Sequence, residues 1–100
     1  MNEKNRELII PPAAASAETS REILRAWVAD NSLHCSLRPS GWDDPSAWGI
    51  VLADVAKHVA NALHDERGTS IEDTLNSIRQ LFNAEMLNPT DEAKGDFISN

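Results

Sequence analysis

The sequence has 100 residues, 41% of them apolar and 25% charged, with a net charge of −7; this fits one small domain, which on folding buries only about 60% of the surface its unfolded chain exposes. So acidic a balance makes nucleic acid an unlikely partner, because phosphate contacts require a concentrated basic face, and the lone Cys35 excludes an intrachain disulfide while no Cys/His set has zinc-finger spacing. No run approaches the roughly 18 consecutive apolar residues of a membrane span, so a partner subunit is the reinforcement left to a small core.

The first residues, Met1 to Glu7, are charged and lead into only three apolar ones, Leu8-Ile9-Ile10, far short of a signal-peptide core. A cytoplasmic location is expected. The run stops at Pro11-Pro12 and is read as an edge strand over residues 7–10, followed by a linker to residue 20 in which Ala and Ser supply neither period nor bulk.

From Glu22 to Arg38 the pattern alternates. Leu24, Ala26 and Val28 share one face, as do Leu33, Cys35 and Leu37 after Asp30-Asn31. With Asp30 and Asn31 as the central residues of a tight turn, the pairs become Val28/Leu33, Trp27/His34, Ala26/Cys35, Arg25/Ser36 and Leu24/Leu37. Apolar then meets apolar throughout, a match that a slip of one residue destroys. Asp and Asn also tolerate the left-handed backbone of such a turn. A helix over Ser20 to Ala29, capped from Thr19-Ser20-Arg21-Glu22, is the competing reading; the register match favours the hairpin.

Pro39-Ser40-Gly41 is a turn, and Asp44-Pro45 opens a helix, with Asp44 as N-cap, Pro45 in the first position and Asp43 favoured by the helix dipole. Trp48, Leu52, Val55, Val59 and Ala62/Leu63 form a stripe expected to face the sheet. Arg67-Gly68 ends that helix. Thr69 and Glu72 have capping-box spacing for a second, with Ile71, Leu75, Ile78 and Phe82 as its buried stripe and Asn88-Pro89 as its stop. The polar residues 88–100 are expected to be a disordered tail. Residues 43–100 carry eleven acidic groups against four basic, whereas 1–42 carry five of each, so the whole negative excess lies in the second half.

These elements define an α+β fold in the order β-β-β-α-α: a small antiparallel sheet of edge strand plus hairpin, with both helices on one face, the domain proper spanning 21–87. The blocks Leu33-His34-Cys35-Ser36-Leu37-Arg38-Pro39, Trp42-Asp43-Asp44-Pro45-Ser46-Ala47-Trp48-Gly49-Ile50 and Ala53 to Ala60 resemble an uncharacterised family of about 100-residue bacterial proteins known only as a domain of unknown function. The resemblance covers Arg21 to Met86 and the Leu8 to Pro11 segment. It implies no activity and no site residues.

The surface of most interest is the hairpin's second face, where Arg25, Trp27, His34, Ser36 and Arg38 project together with Trp42 just beyond. Two guanidinium groups, an imidazole and indole faces suit an anionic planar ligand or a short single strand. They equally suit a subunit interface, and the plain alternative is a half-exposed face covered by the amino-terminal segment. Asp54 and His58, four apart with Asn61 and Asp65 continuing the row, could hold a metal, but that spacing is ordinary helix-surface pairing and no further strong ligand is fixed. His64 points elsewhere. Cys35 alternates onto the core side, away from His34, as a buried thiol rather than a nucleophile. The four glycines are scattered, so no phosphate loop exists. Trp48 reads as a core anchor. No cofactor is implied. The leading functional expectation is a non-enzymatic interaction or accessory domain acting as a homodimer, with an unidentified protein partner also open. Binding of a small anionic ligand or single strand through the hairpin face is the alternative, and an enzyme of unknown type comes third.

Overall fold

A computed structural model describes residues 6–88. In chain order it contains α1 (Pro12–Ser16), β1 (Leu24–Ala29), β2 (Ser32–Leu37), α2 (Ala47–Arg67) and α3 (Ile71–Leu87). The expected tail lies, apart from Asn88, outside the described residues.

The hairpin forms in the register that the alternation demands. β1 and β2 pair antiparallel with Leu24 opposite Leu37, Arg25 opposite Ser36, Ala26 opposite Cys35, Trp27 opposite His34 and Val28 opposite Leu33. Asp30 and Asn31 adopt φ values of 50° and 65°, the doubly left-handed geometry of a type I′ turn, whose twist matches that of the strands it joins. The competing helix over Ser20 to Ala29 is thereby excluded.

The sheet has two strands rather than three. Leu8, Ile9 and Ile10 form no ladder; the segment is held near the hairpin by the Glu7 carboxylate, 2.6 Å from the Arg25 guanidinium, and not by backbone bonds. Pro11 and Pro12, which have no N–H to give, deny it any continuation as a strand. Pro12 instead begins the short α1, where fixed φ and three alanines favour a helical turn without any amphipathic period.

A second correction concerns packing. No Cα of the hairpin elements lies within 8 Å of α2 or α3; β1 packs with β2, and α2 with α3. The helices therefore make no close backbone contact with the sheet. The reason is at the junction: Trp48 packs edge-on against Trp42, with ring centroids 5.5 Å apart at 86°, and donates its indole N–H to the Pro39 carbonyl at 3.2 Å. The residue expected to anchor a helix–sheet core thus fastens the connecting loop to the first turn of α2.

That first turn also starts later than Asp44-Pro45 predicts. Ala47, Trp48 and Gly49 donate to the carbonyls of Asp44, Pro45 and Ser46, giving a tight i→i+3 entry. Asp44 Oδ1 fronts it, accepting from the Ser46 N–H at 2.9 Å and the Ser46 hydroxyl at 2.8 Å. These bonds, the backbone one first, hold the Asp44 carboxyl below its usual pKa. Gly68 closes α2 at φ 73°, its N–H reaching the His64 carbonyl at 2.8 Å, a conformation that only glycine adopts without cost.

The cap of α3 is Ser70, not Thr69: the Ser70 hydroxyl accepts from the Asp73 N–H at 3.1 Å. Thr69 Oγ1 is shut off from water with no hydrogen-bond partner. Neighbouring hydroxyls thus have opposite expected effects. Ser70→Ala should cost about 1 kcal/mol, the usual value of an N-cap, whereas Thr69→Val should raise stability by up to about 1 kcal/mol by removing an unsatisfied polar atom. Urea midpoints of the two variants check this, and the reverse order would restore Thr69 as the cap.

Candidate functional site

The six residues of the hairpin's second face and its flank occupy different situations. Arg25 sits between two carboxylates, Glu7 at 2.6 Å and Glu22 at 3.1 Å; these, Glu22 first, raise its pKa further. Arg38 donates from Nε to the Glu22 carbonyl at 3.0 Å. Both guanidinium groups are therefore engaged within the chain, and Glu22 links them through its side chain and its backbone. Trp27 and Ser36 are half-buried, and His34 stands exposed opposite Trp27. Trp42, beyond the end of β2, packs edge-on against Trp48. The sheet brings together Arg25, Trp27, His34, Ser36 and Arg38 as the alternation implies, and the charge of Arg25 is already paired with Glu7 and Glu22.

The remaining chemistry is dispersed. Cys35 is a free, half-buried thiol. Asp54 and His58 are exposed on α2, and no hydrogen bond or ion pair joins them. Among the described residues no group of three or more His, Cys, Asp or Glu side chains could hold a metal ion. His64 turns its Nδ1 to the Thr69 carbonyl at 2.9 Å, closing the turn between α2 and α3.

What stands out is apolar. Ala60 is the one fully buried residue among the described ones, and fifteen large apolar side chains stay exposed. The α2 stripe assigned to the sheet keeps much of its surface, Leu52 at 44%, Val55 at 46% and Val59 at 42%. On α3, Ile71 and Phe82 are exposed while Leu75 and Ile78 are half-buried. On the hairpin, Val28 and Leu33 face solvent, and Leu8 is 90% exposed. The chain presents 8889 Å² to water, against about 5,600 Å² for a compact monomer of its mass. Granting the seventeen residues outside 6–88 the surface of a fully unfolded chain, about 2,700 Å², still leaves more than about 1,000 Å² beyond what a compact 6–88 would show.

The structure thus defines a two-part α+β module, a β-hairpin and a helical hairpin joined through a tryptophan-pinned loop, with apolar surface in excess. The chain belongs to the family described as "Domain of unknown function (DUF5076)", whose pattern matches residues 7–90. Among solved structures it is similar to one described as a "putative pyruvate dehydrogenase from the photosynthetic bacterium Rhodopseudomonas palustrus CGA009", at 32% identity and a TM-score of 0.71, over 92% of this chain and 94% of that one. No curated protein matches. No helix among the described residues is long and apolar enough to cross a membrane.

Proposed function

We propose that this chain is a non-enzymatic interaction module of the bacterial cytoplasm that works as a homodimer. The supporting observation is the burial pattern among the described residues: a single fully buried one, Ala60, set against fifteen exposed large apolar side chains. A two-stranded hairpin with no close backbone contact to the pair of helices leaves each unit without the tightly packed second layer that a stable domain needs. A second copy supplies that layer without requiring any further component. The surface excess of more than about 1,000 Å² is of the size that one partner contributes to a standard protein interface, about 800 Å².

The dehydrogenase description belongs to the similar chain; among the described residues here the Cys, His and carboxylate groups are dispersed. Anionic-ligand binding on the hairpin face is supported less than association, since a ligand would have to displace Glu7 and Glu22 from Arg25. Light scattering tests the proposal. The intact protein is expected at twice the 11.0 kDa chain mass at micromolar concentration. A folded monomer there, together with a salt-sensitive change in tryptophan fluorescence on adding nucleotides, would transfer support to the ligand reading.

A further inference from the structure

The surface through which two copies meet can be located on α2, an inference that rests on the dimer reading above. α2 carries two apolar rows. Ala56, Ala60 and Leu63 follow one another at four and three residues; Ala60 is fully buried and the other two are half-buried, which places this row under α3, the one element among the described residues packed on α2. Leu52, Val55, Val59 and Ala62 repeat at three, four and three residues, the a/d spacing of a helix–helix seam, yet the first three stay more than 40% exposed. At 3.6 residues per turn the rows are about 90° apart. A helix with two seams a quarter-turn apart is built for two neighbours, as in a four-helix bundle, and this chain supplies one.

We infer that the helical hairpins of two copies pack through the Leu52/Val55/Val59 row of α2 into a four-helix bundle. The exposed area is of the size a second copy would cover, and the charge on the row permits one. Two chains of net charge −7 repel at long range, so a self-complementary face must be free of like charges. Between Trp48 and Leu63 the ionisable residues are Asp54, Lys57 and His58. Asp54 and Lys57 fall on the side of α2 turned away from the exposed row, and His58 borders it. With the two-fold axis crossing α2 at the middle of this row, Val55 lies beside its own copy whether the two α2 helices run parallel or antiparallel.

The test uses the full chain in two forms. Val55→Lys sets a charge into the seam and is expected to weaken dimerisation at least ~100-fold in sedimentation equilibrium, while Val28→Lys on the exposed hairpin face leaves it within a few-fold of the parent. Because Val55→Lys could also unfold an obligate dimer, Val55→Cys in a Cys35→Ser background gives a second readout. Mild oxidation should then yield a disulfide-linked dimer with helical circular dichroism retained, and Lys57→Cys in the same background should not cross-link. A parent that is monomeric overturns the dimer reading and this seam together. A dimer that survives Val55→Lys overturns the seam alone. A dimer that is lost with Val55→Lys but gives no 55-to-55 disulfide places the partner's hairpin on the row, and the four-helix arrangement falls.

Discussion

Ala60→Asp should abolish the folded helical hairpin. Ala60 is 0% exposed on the row of α2 that α3 covers, so a carboxylate there would be enclosed with no partner, at a cost of several kcal/mol. A domain of this size has a total stability of about 4–12 kcal/mol. A graded series separates charge from volume. Ala60→Gly, which lowers helix propensity and removes one buried methyl, should cost about 1–2 kcal/mol, and Ala60→Leu, which overfills the contact, about 1–3 kcal/mol. Helical circular dichroism in urea ranks the three. An Asp variant with the parent's signal and midpoint would mean that α3 does not close over this position.

Thermal stability should depend on protein concentration. If the apolar surface is covered by a second copy, unfolding and dissociation are one event, and each tenfold increase in concentration favours the folded dimer by about 1.4 kcal/mol. For a unit of about 200 residues that corresponds to a rise in Tm of roughly 3–5 °C per decade. Scans from one to one hundred micromolar would show it readily. A Tm that stays constant over that range would mean that each chain folds alone, against the dimer reading.

The hairpin was legible in the sequence because its register is over-determined. Period-two alternation on both sides of Asp30-Asn31 and two residues tolerant of positive φ admit one pairing, and the structure adopts it. Gly68 and Asn88 as helix ends were legible for the same reason: each marks a local conformation. What covers an apolar stripe is not a local property. The spacing of Leu52, Val55 and Val59 says that these residues share a face, and nothing in it distinguishes a sheet from a second helix or a second chain. Ala60 escaped notice because alanine contributes little bulk to a pattern, although its small side chain is what lets two helices approach closely. On the second face of the hairpin, the alternation placed Arg25, Trp27 and His34 together, while one of the two carboxylates that pair with Arg25, Glu7, lies 18 residues away, which no period reveals. The edge strand failed because a strand is defined by its neighbour, and Leu8 to Ile10 have none.

The separation of the two hairpins bears on how the chain folds. Both packed pairs, β1 with β2 and α2 with α3, join elements adjacent in sequence, so native contacts close short loops and contact order is low. Helical turns form in about a microsecond and hairpins within about ten, and chains rich in local contacts complete folding on the microsecond to millisecond scale. Each hairpin can therefore assemble before the chain has left the ribosome by much more than its own length. On the proposed dimer reading, the step that remains, the meeting of two such chains, is second order. At low abundance that encounter, and not any rearrangement within the polypeptide, sets the time a newly made chain spends with its apolar rows open to water.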